Sequence, residues 1–461
     1  MQQSYHIINA RIINEGEIFE GSVLVQDQKI KKITRKEELF NDTLPENCQV
    51  IDAYGNYLIP GVIDDQVHFR DPGLTHKADL YTESKAAVAG GVTSFMDMPN
   101  TNPQTLTQKL LEEKYTMAAS KSLANFSFYM GASNDNLNEI LKTDPSNVCG
   151  VKVFLGASTG NMLVDDPDSI NDIFSKVKML VAVHCEDENI ISANSETFMH
   201  EYGESVPIEM HPIIRSEEAC YESSSFAVSM AKKYETRLHV LHLSTARELG
   251  LFDNQVPLDQ KKITAEVCIH HLWFDDDDYP EQGTRIKWNP AIKTGYDREA
   301  LLEALKMDII DVVATDHAPH TLDEKKQSYF KAPSGGPLVQ HSLVAMMEMH
   351  LQGKIPLAKI VQKMCHAPAE CFQVQDRGFI REGYWADLVI LNLNYPWIVD
   401  QNNIYYKCGW SPLDGITNGS NVTHTSVNGQ MVYKDGIFDE SVKGQRLLFV
   451  WKYLYQFKLT N

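Results

Sequence analysis

The chain has 461 residues, 43% of them hydrophobic, with a formal net charge of -20 and an isoelectric point near 5.2. That length accommodates one large domain plus a smaller one with ample core material. The acidic balance argues against nucleic acid or an anionic membrane as partner, since both need basic surface, so an anionic small-molecule substrate must be caught by local cations.

Residues 1–20 are polar and charged throughout, without the apolar centre of a signal peptide, and no later stretch reaches the roughly 18 apolar residues of a membrane span. A cytoplasmic protein is expected. The eight cysteines are scattered without a Cys-x-x-Cys pair and are expected to be buried thiols.

From residue 5 to about 53, short β-rich runs alternate with Gly, Asn and Asp turns, which predicts a small antiparallel sheet. The C-terminal part repeats that character, with runs at 386–391, 422–427 and 430–433 and a hairpin signal at Asn428-Gly429. The two ends are expected to pair into one discontinuous β-sandwich domain (1–54 with 378–461) around a central domain at 55–377. That central part carries eight apolar or β-branched runs: 58–68, 92–98, 125–130, 150–155, 180–184, 238–243, 262–268 and 311–316. Helical patterns fall between them, at 80–89, 106–120, 220–234 and 298–305. Strand and helix alternating eight times predict an α/β fold of the (β/α)8 barrel type, with its active site at the C-terminal strand ends.

The first of these runs leads into Gln66-Val67-His68-Phe69-Arg70 and closes on Pro72-Gly73. Strand alternation puts Gln66, His68 and Arg70 on one side. His68, Lys152, His184, His242 and Asp316 stand at or near the ends of runs one, four, five, six and eight. Together they form a ligand set for two divalent metals, which would bring a shared water toward pKa ~7 and so favour hydrolysis of an amide-like bond.

Five motifs, His68-Phe69-Arg70-Asp71-Pro72-Gly73, Met98-Pro99-Asn100-Thr101-Asn102-Pro103, His184-Cys185-Glu186-Asp187, residues 239–245 (HVLHLST) and Ala314-Thr315-Asp316-His317-Ala318-Pro319-His320, resemble those of the dihydroorotases in the amidohydrolase superfamily. The resemblance runs from about residue 50 to 390 and into the flanking sheet. It implies reversible interconversion of L-dihydroorotate and N-carbamoyl-L-aspartate in pyrimidine synthesis, by a homodimer using one or two zinc ions. It implies that position 66, His68 and Asp316 bind one metal, that His184 and His242 bind the other, and that Lys152, carboxylated on Nζ, bridges them. An ammonium cannot ligate a metal, whereas its carbamate offers two oxygens.

The resemblance further gives Asp316 the proton-transfer role. Arg70 and Asn100 would hold the substrate carboxylate, and Asn289 and His320 would contact the ring. The loop 334–337 would offer backbone groups, and the Gly- and Ser-rich segment 156–163 is a candidate lid. Gln66 departs from the pattern: a neutral amide is a poorer donor than imidazole, so the first metal site is expected to be weakened. Other readings are a different cyclic-amide hydrolase, such as an allantoinase or dihydropyrimidinase, and a non-catalytic scaffold. His239 is expected to be a core residue, His270 and His271 to be structural or to support the ligands from behind, and Asp275–Asp278 a solvated loop.

Overall fold

The computed structural model describes residues 4–40, 43–156 and 160–450. Residues 157–159 of the candidate lid therefore lie outside the described residues. Among the described residues no helix is long and apolar enough to cross a membrane.

The N-terminal strands are β1 (Tyr5–Asn14), β2 (Glu17–Gln26), β3 (Lys29–Arg35), β4 (Gln49–Asp52) and β5 (Tyr57–Pro60). The barrel strands follow: β6 (Val62–Val67), β7 (Val92–Asp97), β8 (Asn125–Phe128), β9 (Met130–Gly131) and β10 (Val151–Phe154). Next come β11 (Val181–His184), β12 (Leu238–Val240), β13 (Ile263–Cys268) and β14 (Val312–Ala314). After them lie β15 (Leu388–Asn392), a short pair β16 (Trp397–Ile398) with β17 (Thr417–Asn418), then β18 (Asn421–Val427), β19 (Gln430–Lys434) and β20 (Ile437–Phe438).

The two ends of the chain do meet. β5 pairs with β1 and with β15, joining the terminal segments into one nine-stranded sheet, β20-β19-β18-β15-β5-β1-β2-β3 with β4 on β1. Strand alternation gives the sheet two apolar faces. Leu388 and Ile390 join a private cluster with Ile7, Ile12 and Val23, whereas Val389 and Leu391 pack with the barrel's outer core. The hairpin at Asn428-Gly429 has both residues at positive φ (51° and 69°), the conformation of a tight two-residue turn.

One strand boundary differs from the sequence reading. The run 58–68 divides: β5 belongs to the sheet, and the barrel strand begins at Val62. The cause is Gly61, whose amide donates to Asp387 O (2.8 Å) and which lies so close to Thr93 that a Cβ there would sit 2.0 Å from its Oγ1. Only glycine allows the chain to cross from one sheet to the other at that point.

The parallel strands form two ladders, β6-β7-β8 and β9-β10-β11-β12-β13-β14. A single residue, Tyr129, separates β8 from β9. On the other side Val67 bridges His317, with His68 N donating to His317 O at 2.7 Å. The strands thus follow the eightfold order read from the sequence. Ile63, Met96, Tyr129, Leu180, Leu241 and Val312 fill the interior, and Leu447 and Phe449 add to it from the C-terminal segment. Helices Leu80–Ala89, Gln108–Lys121, Glu217–Tyr234 and Gly295–Lys306 lie where the 3.6-residue pattern put them, the last two starting three residues early behind the N-caps Ser216 and Thr294. All eight thiols are free; six are buried, and Cys48 and Cys408 are partly exposed.

Candidate active site

A cavity of about 370 Å³ opens at the C-terminal ends of the barrel strands, and every residue singled out from the sequence lines it: Gln66, His68, Arg70, Asn100, Lys152, His184, His242, Asn289, Asp316 and His320. Lys152 stands in β10 and His184 ends β11; His242 and Asp316 each lie two residues past their strands, with positive φ (41° and 45°). The parity argument for Gln66, His68 and Arg70 reaches the right side by a different route. β6 ends at Val67 with a register shift between Asp64 and Val67, and Arg70 is turned inward at φ 65°. Arg70 does not pair with Asp71, whose partner is Lys121 (2.8 Å).

On one side of the cavity His68 Nδ1 lies 2.7 Å from Asn100 Oδ1, an atom that only accepts. Nδ1 therefore carries a hydrogen, and Nε2 faces Asp316 Oδ1 at 3.1 Å. An imidazole nitrogen and a carboxylate oxygen at that spacing can share a cation. Gln66 is turned differently: its Nε2 donates to Asp316 Oδ1 (3.2 Å), and its Oε1 lies 3.8 Å from the Cys268 sulfur. The amide thus restrains Asp316 as a hydrogen-bond donor.

On the other side His184 Nδ1 and His242 Nε2 are 2.9 Å apart, and His242 Nδ1 is buried without a partner. Burial, then the charge of its neighbours His184 and Lys152, pushes His242 well below the ordinary imidazole range. Burial also lowers His184, against the pull of Glu186. Neutral imidazoles converging on one point are what a metal requires. His184 Nε2 donates to Glu186 Oε2 (2.9 Å), which fixes the orientation of the ring. Burial works to raise Glu186, but Arg215 and His184 outweigh it and hold the carboxyl down at about 2. Lys152 is fully buried over the Phe154 ring (4.6 Å), and burial lowers it to about 7, against the pull of Asp316 and Glu266. A neutral amine is the form that reacts with CO2, so this environment suits carboxylation.

The remaining wall is cationic. Arg70 Nε donates to Pro319 O (3.2 Å), and its Nη2 lies 3.1 Å from His320 Nε2. Lys77 Nζ donates to His320 Nδ1 (2.9 Å), so Nε2–H donates to Ser334 O (3.0 Å) and His320 is neutral. Burial, then Arg70, lowers its pKa well below the usual range. Lys325 gathers the carbonyls of Lys287, Pro333 and Gly335, and Lys287 those of Tyr329 and Ala332, which shapes the loop bearing Ser334. Asn289 Oδ1 is buried without a partner.

Sequence reasoning missed Lys77, Phe154, Trp288, Glu186 and Arg215. Glu186 stands inside a quoted motif, two residues after His184, and was legible there. Arg215 comes from a distant segment and carries no local signal. His270 stacks on Trp288 (4.4 Å, 13°), a structural position as expected. Asp275 is less solvated than its acidic run implied: it caps a short helical turn and pairs with Arg298 (2.6 Å).

A parallel-strand barrel with imidazoles, a carboxylate and a buried lysine converging at its C-terminal mouth defines a hydrolase of the metal-dependent barrel class. The chain belongs to the amidohydrolase family, whose sequence profile matches residues 57–432. It is 32% identical to the dihydroorotase of Ehrlichia canis over 440 residues, covering 92% of this chain and 94% of that one. It is 29% identical to the dihydroorotase of Pyrococcus abyssi over 443 residues, covering 96% and 98%. Among solved structures it resembles the L-hydantoinase (dihydropyrimidinase) of Arthrobacter aurescens, with a TM-score of 0.88 and 27% identity over 95% of this chain and 97% of that one.

Proposed function

We propose that the chain is a dihydroorotase, opening and closing the ring between L-dihydroorotate and N-carbamoyl-L-aspartate. The observation that carries this reading beyond a general cyclic-amide hydrolase is the cationic wall. In a protein of net charge -20, Arg70 and Lys77 flank one end of the cavity, and Lys77 already pairs with Glu324 (2.9 Å). A hydantoin or dihydropyrimidine without a carboxylate leaves Arg70 no counter-ion; dihydroorotate supplies one. Arg70 Nη1 has no partner among the described residues and is free to take one carboxylate oxygen in a charge-assisted bond. The Asn100 amide hydrogens remain available once Oδ1 has accepted from His68.

The donor geometry fits divalent metal, with His184, His242 and carboxylated Lys152 on one side and His68 and Asp316 on the other. Zinc held there supplies Lewis-acid polarisation of the ring carbonyl and acidifies water. The chain's own residues do the rest. Asp316, restrained by Gln66, takes a proton from the attacking water; the water oxygen bonds to the ring carbonyl carbon, the C–N bond breaks, and Asp316 returns the proton to the leaving nitrogen. Asn289 Oδ1, otherwise unsatisfied, accepts from a ring N–H, and the Ser334–Gly335 backbone borders the ring. The reading includes a homodimer of this chain.

The test is hydrolysis by the zinc-reconstituted protein of dihydroorotate beside dihydrouracil and hydantoin. Turnover of dihydroorotate with at least 100-fold preference in kcat/KM is expected; equal or better turnover of the carboxylate-free rings contradicts the reading.

A further inference from the structure

Below the cavity floor three side chains from β6, β12 and β13 meet without a role in the site above. Asp65, His239 and Glu266 are each fully buried. His239 Nε2 lies 3.2 Å from Asp65 Oδ2 and 3.6 Å from Glu266 Oε2, and one ligand atom from each lies within 4.8 Å of the others.

The surrounding hydrogen bonds decide how His239 is protonated. The Thr264 hydroxyl donates to Leu238 O (3.3 Å) and receives the Cys371 thiol (3.3 Å), so at 2.8 Å from His239 Nδ1 it is again an acceptor. Nδ1 carries a hydrogen, and Nε2, which as an imidazolium N–H pairs with Asp65, faces two carboxylates. Both oxygens of Asp65, Nε2 of His239 and Oε2 of Glu266 lack a hydrogen-bond partner. Glu266 Oε1, by contrast, accepts from the His242 amide (3.1 Å) and the Cys268 thiol (3.3 Å).

Two buried carboxylates facing one imidazole need compensating positive charge. A proton on Nε2 compensates one carboxylate, and Glu266, pushed up to about 7 by burial and then by Asp65, can take a second proton, whereas a divalent cation neutralises both at once. Lys152 lines the cavity above and does not compensate Asp65. The spacing agrees as well: bonds of about 2.0–2.2 Å to a tetrahedral zinc place neighbouring ligand atoms roughly 3.3–3.6 Å apart.

We propose that Asp65, His239 and Glu266 form an interior divalent-cation site, separate from the catalytic cavity, that pins strands β6, β12 and β13 together beneath it. One imidazole and two carboxylates suit zinc or manganese. The site does not depend on the substrate assignment made above.

The test uses crystals of the full-length, zinc-reconstituted protein and anomalous difference maps recorded on both sides of the zinc edge. A peak within about 2.0–2.3 Å of Asp65, His239 Nε2 and Glu266 is expected, distinct from density at His184 and His242. In solution, Asp65→Asn is expected to carry one zinc fewer per chain by mass spectrometry. No peak at the trio, whatever the cavity holds, overturns the proposal, as does an Asp65→Asn protein with the wild-type zinc count. A peak at the trio in a protein that does not turn over dihydroorotate would instead sink the functional reading and leave this site standing.

Discussion

Gln66 and Glu186 show how single side chains tune the ligands beside them. Gln66 donates to the Asp316 carboxylate, so its amide hydrogen takes the place of a positive charge there. Gln66→His is therefore expected to increase zinc bound per chain at fixed free zinc; unchanged stoichiometry would mean that position 66 does not limit the His68 side of the site. Glu186 acts on the opposite side. Its carboxyl lies at about 2 rather than the ordinary 4.5. A depressed carboxylate contributes stability that is present above about 4.5 and lost as pH falls toward 2. Glu186→Gln is thus expected to lower the melting temperature at pH 7 while narrowing its gap to wild type at pH 3. A constant gap at both pH values would contradict the assigned cause. The motif His184-Cys185-Glu186 made the carboxylate visible in the sequence, but not Arg215, which arrives from another segment.

At the scale of elements, the strand ends were legible because chemistry-bearing residues interrupt apolar runs at the point where each strand stops. His68, Lys152, His184, His242 and Asp316 were all found this way. The loops were less legible. The loop around Ser334 is shaped by two lysines whose ammonium groups collect five carbonyls, an arrangement with no periodicity to read. Lys325→Met removes three of those bonds at about 0.5–1.5 kcal/mol each. It is expected to lower the melting temperature by several degrees and to raise KM for dihydroorotate more than it lowers kcat. A loss confined to kcat would mean that the loop does not shape substrate binding.

For the whole molecule, the sequence indicated that the chain ends pair, since turn-rich β character recurs on both sides of the barrel pattern. It could not show how sheet and barrel are joined. That junction is Asp387, beside β15: its carboxylate pairs with buried Arg377, accepts from the Asn428 amide (2.7 Å) and receives Asn125 of β8 (3.3 Å), while its carbonyl takes the Gly61 amide. Breaking a buried pair by removing one partner costs about 3–5 kcal/mol. Asp387→Ala is expected to destabilise the protein by that amount in denaturant titrations, and a loss under 1 kcal/mol would remove the junction from the account. The run 58–68 read as one strand for the same reason: apolar continuity hides the crossing at Gly61, which depends on Thr93 and Asp387 far along the chain.

The central claim, that an acidic protein reserves a cationic wall for a substrate carboxylate, is tested most directly by Arg70→Ala in the zinc-loaded enzyme, with kcat/KM measured for dihydroorotate and for dihydrouracil. The account predicts a fall of roughly 10- to 100-fold for dihydroorotate, the loss of a charge-assisted pair, with any activity on dihydrouracil unchanged. An equal effect on both rings, or none on dihydroorotate, would contradict it.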